Sequence, residues 1–208
     1  EAPIVLEGGA IETDGEGTLL VNHRCIDDPL RNPEWSREEL TACLQSFLRV
    51  EKVLWASGAL AGDDTDGHID QLVRFVAPGC VVAARQLDRS DPNYESLEAN
   101  FDLLKKIKDA RGRLLDVVPI DLPPSVCFGD VQLPASYLNF SILNGGVIVP
   151  TFGHDLDINA IATIQKFFPQ REVMAFPALE LIRGRGAVHC VTSQQPALEH
   201  SGDGDIPA

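Results

Sequence analysis

The chain is poor in basic residues and contains no long apolar run. Its 208 residues include 17 Lys and Arg against 31 Asp and Glu, which gives a formal net charge of −14. A nucleic-acid partner is not expected, because such binding draws its affinity from Lys and Arg that neutralise phosphates. No stretch approaches the roughly 18 apolar residues of a membrane span, and residues 1–7 do not resemble a signal peptide. We therefore expect a cytoplasmic protein without a membrane partner.

Cysteine is scarce, and its spacing contains no Cys-x-x-Cys pair. The five cysteines are Cys25, Cys43, Cys80, Cys127 and Cys190. An odd and widely spaced set is not typical of a disulfide scaffold or of a thiolate zinc site. A single cysteine is usually a small buried apolar residue, and we interpret the first four in that way. Cys190 differs because it follows a Gly-x-Gly approach and His189 and precedes a polar run.

A pattern of hairpin, helix and strand is written three times along the chain. In the first copy, strands are predicted at residues 4–6 and 18–21 around a glycine-rich turn. Ser36 and Glu39 form a capping box that begins a helix, and a strand at 52–55 closes the unit. The second copy predicts strands at 72–76, 80–84 and 114–118 and a helix at 94–109. The third predicts strands at 137–142, 147–150 and 172–176 and a helix that carries Ile158, Ile161, Ile164 and Phe168.

These repeats predict an α/β protein whose modules stack and share a core. The Asn144-Gly145-Gly146 turn between two apolar runs supports the third hairpin. A fourth unit is predicted to begin at residues 187–190 and to be cut short. We expect one domain over residues 1–197 and a disordered tail over residues 198–208.

Polar residues recur at the starts or ends of the first strands of the modules. They are Glu7, His68, Asp70, Asn139 and Cys190. Pseudosymmetric repeats would bring equivalent positions toward a common axis, and a site could thus be assembled from residues far apart in sequence. Each of them also has a plain structural interpretation, such as a bulged strand end for Glu7 or a ladder-edge residue for Asn139.

His68 and Asp70 are two residues apart, so on a strand both side chains would point to one face. A carboxylate beside an imidazole is a normal acid/base arrangement. A solvated acidic loop is the alternative. A divalent-metal site is another, because Asp64, Asp66, His68 and Asp70 alternate along the chain, although no converging ligand is evident elsewhere.

Taken together, five motifs resemble agmatine deiminases of the porphyromonas-type peptidylarginine deiminase superfamily. They follow one another in the order of that family, from Pro3 to about Ala197. The motifs are Leu6-Glu7-Gly8-Gly9, Asp64-Thr65-Asp66-Gly67-His68-Ile69-Asp70, Ser136-Tyr137-Leu138-Asn139-Phe140, Asn144-Gly145-Gly146-Val147-Ile148-Val149-Pro150 and Val188-His189-Cys190-Val191-Thr192-Ser193-Gln194-Gln195-Pro196.

The resemblance implies a pentein-type α/β propeller, of which this chain would hold about three modules and part of another. It implies hydrolysis of a guanidinium group, with agmatine giving N-carbamoylputrescine and ammonia and with neither metal nor organic cofactor. Cys190 would be the nucleophile, His68 the general acid and base, and Asp70 the partner of the guanidinium. Glu7, Asp64 and Asn139 would hold the substrate or orient His68.

One family feature is missing from the sequence. The family carries an earlier segment with a tryptophan and Arg-Asp-Gly-Pro, whose aspartate grips the guanidinium, and no such string occurs here. We expect about two N-terminal modules to be absent and the chain alone to be weakly active or inactive. Peptidyl-arginine or free arginine as substrate, and a truncated non-catalytic pentein that binds a ligand, stay open. The resemblance also implies a homo-oligomer.

Overall fold

The architecture is α/β and is built from three copies of one unit. The computed structural model describes residues 3–195. Each unit contains two antiparallel strands, a helix, and a third strand that runs parallel to the second. The strand order is therefore the same in all three sheets, as the repeat in the sequence predicts.

The first module begins later than predicted. Its hairpin consists of β1 (Ile11–Thr13) and β2 (Thr18–Asn22), and β3 (Lys52–Ala56) lies parallel to β2. Two helices, α1 (His23–Ile26) and α2 (Arg37–Leu48), lie between β2 and β3. All five residues of β2 are buried, which is expected for the central strand of a covered sheet.

Helix α2 begins at the predicted capping box. The backbone N–H of Glu39 donates to Ser36 Oγ at 3.3 Å, and the backbone N–H of Ser36 donates to Glu39 Oε2 at 2.9 Å. Two of the N–H groups that a helix leaves without intrahelical partners are satisfied in this way.

The predicted strand at residues 4–6 is wrong. The backbone of Val5 pairs with a side chain, because its N–H donates to Asn32 Oδ1 at 2.8 Å and its carbonyl accepts from Asn32 Nδ2 at 3.2 Å. Ile4 is nevertheless buried in the core of the first module. The apolar run is thus real, but a side-chain amide replaces the neighbouring strand.

The second module contains β4 (Val73–Ala77), β5 (Cys80–Arg85), α3 (Tyr94–Leu104) and β6 (Asp116–Asp121). Helix α3 ends five residues earlier than predicted. The chain turns around Asp109 instead, whose Oδ1 accepts the backbone N–H groups of residues 111 and 113 at 2.9 Å each. The third strand is consequently shifted by two residues relative to the predicted start at residue 114.

A short hairpin connects the second and third modules, and it was not predicted from the sequence. It consists of β7 (Val126–Phe128) and β8 (Val131–Leu133), which pair antiparallel across a turn with Gly129 at φ 60°. Strands of three residues give little period-2 signal, so the pattern was too short to read.

The third module contains β9 (Ser141–Ile142), β10 (Gly146–Thr151), α4 (Leu156–Phe167) and β11 (Glu172–Pro177). The predicted strand at 137–142 is reduced to its last two residues. The carbonyls of residues 138 and 140 accept hydrogen bonds from Arg74 Nη1, at 3.0 and 2.6 Å, and not from a neighbouring strand.

Beyond β11, no strand occurs up to residue 195. Two 3-10 helices, Leu181–Gly184 and His189–Val191, occupy this segment, so the fourth unit predicted at residues 187–190 does not begin as a strand. The predicted tail at 198–208 lies outside the described residues. Among residues 3–195, no helix is long and apolar enough to cross a membrane.

The apolar core forms two clusters. The larger one joins all three modules, because Leu20 of β2 and Leu54 of β3 belong to it together with Leu72 and Tyr137. The smaller one lies within the first module, around Leu40 and Leu44 of α2. The segments that precede the first strands of the modules carry most of the predicted site residues, and Asp70 and Asn139 among these are buried.

Candidate active site

A cavity of about 440 Å³ gathers the three predicted catalytic side chains, those of His68, Asp70 and Cys190. It is built from three segments, residues 8–9, 65–70 and 189–194. Its lining residues are Gly8, Gly9, Thr65, His68, Asp70, His189, Cys190, Thr192, Ser193 and Gln194. A larger cavity of about 520 Å³ beside Gln86 and Ser125 has neither a cysteine nor a histidine in its lining. The smaller one is therefore the better candidate for chemistry.

Glu7 and His68 form a direct pair. His68 Nε2 lies 2.8 Å from Glu7 Oε2, and the Glu7 carboxylate also accepts from Arg31 Nε at 3.2 Å to each oxygen. Burial alone would raise the pKa of Glu7, but the hydrogen bonds from His68 and Arg31 outweigh it and hold the pKa below its usual value. Glu7 is thus an ionised partner that orients the imidazole ring.

The segment that carries His68 and Asp70 is not a strand. His68 precedes a 3-10 helix, Ile69–Gln71, and Gly67 has a φ of 96°. The Asp63 carboxylate accepts the backbone N–H of Gly67 at 2.7 Å and so fixes the turn before the histidine. The prediction of one strand face is wrong in its geometry, although both side chains do line one cavity.

Asp70 is fully buried beneath the cavity. Its Oδ2 lies 2.7 Å from His189 Nδ1, whereas its Oδ1 has no hydrogen-bond partner among the described residues. An unpaired buried carboxylate oxygen is costly unless something supplies a donor. A donor supplied by a ligand would satisfy this oxygen.

Cys190 lies on the 3-10 helix His189–Val191, with its sulfur 3.8 Å from Asp70 Oδ2. Buried Asn139 holds this helix: its Oδ1 accepts the backbone N–H groups of Ala187 and Cys190 at 3.1 and 3.2 Å. Asn139 Nδ2 donates to Cys190 Sγ at 3.2 Å. Burial of the thiol, followed by the charge of Asp70, raises the pKa of Cys190 to about 11.

The alternating acidic residues do not converge on a common point. Asp66 Oδ2 accepts from Arg31 Nη1 at 2.7 Å, and Asp64 Oδ2 lies 3.8 Å from Arg185 Nε. Together with the separate partners of His68 and Asp70, these contacts argue against the metal alternative. Asp64 is also not among the residues that line the cavity, so it does not reach the position predicted for a substrate contact.

One other group has metal-ligating side chains close together. The ligand atoms of Glu7, Cys25 and His68 lie within 4.8 Å of one another. Both oxygens of Glu7, however, face the guanidinium of Arg31, and burial raises the pKa of the Cys25 thiol to about 12. A hydrogen-bonded network accounts for this group without a metal.

The sequence did not indicate Arg31, the contact of His189 with Asp70, or two close backbone approaches. A Cβ on Gly9 would lie 2.5 Å from His68 Nδ1, and one on Gly186 would lie 2.6 Å from Cys190 Cβ. The Gly8-Gly9 pair was predicted as part of the Leu6-Glu7-Gly8-Gly9 motif, with a bulged strand end as the alternative. Arg31 gave no sequence signal, because its partners lie 24 to 35 residues away.

The site and the repeated modules together define a pentein-type α/β protein whose cavity is lined by a cysteine, two histidines and a carboxylate. More specifically, the chain belongs to the Porphyromonas-type peptidyl-arginine deiminase family, whose sequence profile matches residues 1–196. It is 41% identical over 211 aligned positions to the agmatine deiminase of Pseudomonas fluorescens, with 93% of this chain and 57% of that protein covered.

Solved structures agree with the fold. A candidate arginine deiminase from Porphyromonas gingivalis superimposes with a TM-score of 0.90 at 45% identity, and the agmatine deiminase of Enterococcus faecalis with a TM-score of 0.87 at 36%. Both alignments cover 93% of this chain and 57% of the other. The chain therefore spans a little over half the length of the relatives it matches.

Proposed function

We propose that this chain carries the nucleophile, the acid/base pair and one guanidinium-binding carboxylate of an agmatine deiminase. The reaction would convert agmatine and water into N-carbamoylputrescine and ammonia, a step toward putrescine and other polyamines. One observation carries the proposal: Asp70 lines the cavity as a fully buried carboxylate, with Oδ2 3.8 Å from the Cys190 sulfur and Oδ1 without a hydrogen-bond partner among the described residues. A planar guanidinium supplies the donors that such a carboxylate needs.

Substrate binding would activate the thiol. In the free site, burial and the negative charge of Asp70 raise the pKa of Cys190 to about 11, so the thiol is protonated at neutral pH. A guanidinium on Asp70 offsets that charge and places a cation beside the sulfur, and both effects favour thiolate. The Asn139 amide N–H, 3.2 Å from the sulfur, stabilises the same form.

The chemistry then proceeds in two halves. The Cys190 thiolate adds to the guanidinium carbon and forms a C–S bond. His68 donates a proton to one nitrogen, its C–N bond breaks, and ammonia leaves an amidino-thioether on the sulfur. In the second half, His68 takes a proton from water, which attacks the same carbon. The C–S bond breaks, the sulfur leaves as thiolate, and the ureido product is released.

The remaining predicted residues act through these groups. Glu7 would hold the His68 ring through its 2.8 Å contact, and Asn139 would hold the turn that carries Cys190. His189 would fix the Asp70 carboxylate and leave Oδ1 directed at the substrate. Asp64, which does not line the cavity, would serve only to anchor its loop through Arg185.

The test is ammonia and N-carbamoylputrescine formation from agmatine by the natural full-length protein. Cys190→Ser should lower kcat by about 10³-fold or more, because a hydroxyl is a far weaker nucleophile at neutral pH. Cys127→Ser is the matched control and should behave as wild type, because Cys127 on β7 is exposed, not buried as predicted, and does not line the cavity. Equal rates for wild type and Cys190→Ser would remove Cys190 as nucleophile.

The same assay separates the alternative substrates. The agmatine deiminase relative favours agmatine, while the candidate arginine deiminase and the family description favour arginine or an arginine peptide. Higher kcat/KM for arginine or for an arginine peptide than for agmatine would reassign the substrate. Binding of all three without turnover would favour the non-catalytic alternative.

A further inference from the structure

Arg31 joins the two segments that carry the acid/base pair. Its Nε donates to both oxygens of Glu7 at 3.2 Å, its Nη1 donates to Asp66 Oδ2 at 2.7 Å, and its Nη2 donates to the carbonyl of Thr65 at 3.0 Å. Its side chain is only 16% exposed. Arg31 is not among the residues that line the cavity, so it acts behind the site and not within it.

We propose that Arg31 is a positioning residue that sets the geometry of His68 at the cavity. This inference rests on the proposed function. Geometrically, Arg31 fixes the Glu7 carboxylate that lies 2.8 Å from His68 Nε2. It also holds Thr65, whose Oγ1 accepts the backbone N–H of His68 at 3.1 Å. One planar guanidinium thus controls the imidazole from its ring and from its backbone.

The other groups near His68 do not replace Arg31. The Cys25 thiol meets the same carboxylate only at 3.5 Å from Glu7 Oε2, whereas Arg31 Nε donates to both oxygens at 3.2 Å. On the cavity side, Asp70 is paired with His189. The position of the Glu7 carboxylate against His68 therefore depends on Arg31.

The experiment compares Arg31→Gln and Arg31→Lys in the natural full-length protein. In Arg31→Gln, kcat should fall about tenfold or more, because Glu7 and Thr65 lose the donor that holds them against His68. KM for agmatine should change less than about threefold, since Arg31 does not contact Asp70. In Arg31→Lys the charge stays but the planar fork is lost, so kcat should stay low as well.

Arg37→Gln is the matched control. Arg37 also pairs with a carboxylate of the first module, at 2.6 Å from Asp27 Oδ2, but contacts nothing in the site. It should leave kcat and KM unchanged. Wild-type kcat in Arg31→Gln would overturn the proposal, as would a rise in KM without a fall in kcat.

A measurement that does not depend on turnover separates this inference from the proposed function. NMR of the histidine ring carbons at one fixed pH, with the His68 signal assigned through His68→Gln, should show a displaced His68 signal in Arg31→Gln and an undisplaced one in Arg37→Gln. A His68 signal that keeps its wild-type position in Arg31→Gln contradicts the positioning role, whichever substrate the protein uses. Absence of turnover in the wild type would instead contradict the agmatine deiminase assignment. If Arg31→Gln does not fold, Arg31→Lys carries the kcat test alone.

Discussion

The backbone of Gly9 lies close to the side chains of His68 and Asp70, and Gly9→Ala should therefore damage the site. The added Cβ would lie 2.5 Å from His68 Nδ1 and 2.9 Å from Asp70 Oδ2, whereas ordinary contacts begin at 3.4 Å. A shift of close to 1 Å is needed. Neither neighbour moves freely, because Glu7 holds the His68 ring and His189 holds the Asp70 carboxylate.

Two magnitudes follow from that displacement. Overpacking of this kind typically costs about 1–3 kcal/mol in the free energy of unfolding. A misplacement of about 1 Å at reacting groups can lower the rate by roughly 10²-fold. We expect Gly9→Ala to stay folded but to lose about two orders of magnitude in kcat, because the displaced groups are those that transfer the proton and bind the guanidinium.

The adjacent glycine provides the matched control. Gly8 also lines the cavity, yet a Cβ there would meet nothing within 4 Å. Both variants should be compared by ammonia release from agmatine and by urea unfolding. Gly8→Ala should remain within about twofold of wild-type kcat. Equal activity and equal stability of Gly8→Ala and Gly9→Ala would refute the steric reasoning.

Three further predictions concern the nucleophile and the scaffold. Gly186→Ala would place a Cβ 2.6 Å from Cys190 Cβ and should lower kcat strongly. Gly184→Ala is the control and should not lower kcat, because a Cβ there meets nothing within 4 Å. Similar rates for the two variants would contradict this packing. The pKa of the free Cys190 thiol is raised to about 11, so its alkylation by iodoacetamide should become about tenfold faster for each pH unit from 7 to 9. Peptide mass spectrometry measures the alkylation rate, and a plateau near pH 8 would show the thiol to be more acidic. Ser36→Ala removes an N-cap and should lower the free energy of unfolding by about 1 kcal/mol, measured with urea, without changing KM. An unchanged urea midpoint would mean that the cap is dispensable.

The sequence predicted the repeated secondary structure well where contacts between residues close in sequence determine it. The capping box of Ser36 and the Asn144-Gly145 turn specify their elements through contacts only a few residues away, and both were located correctly. The strand expected at residues 4–6 failed because Asn32, far along the chain, satisfies the backbone of Val5. A hydrophobic pattern does not indicate that a distant side chain will replace a strand as the hydrogen-bond partner of the backbone.

The sequence indicated which residues line the candidate site better than it indicated how they are arranged. The motifs indicated His68, Asp70 and Cys190, and all three line one cavity. The turn that places His68 and Asp70 depends on Gly67 in a left-handed conformation and on Asp63 as an acceptor, which overrides the strand alternation. Arg31 and the contact of His189 with Asp70 escaped notice because such contacts exist only once the modules are folded together.

The distribution of the site over the modules has a consequence for the order of folding. Glu7 and His68 are 61 residues apart, Asn139 and Cys190 are 51 apart, and Asp70 and His189 are 119 apart. Contacts of this length form late, because the entropy of closing long loops is lost before they contribute. After dilution from denaturant, helical signal should therefore return before agmatine turnover. Activity would be the last property that the refolding protein regains.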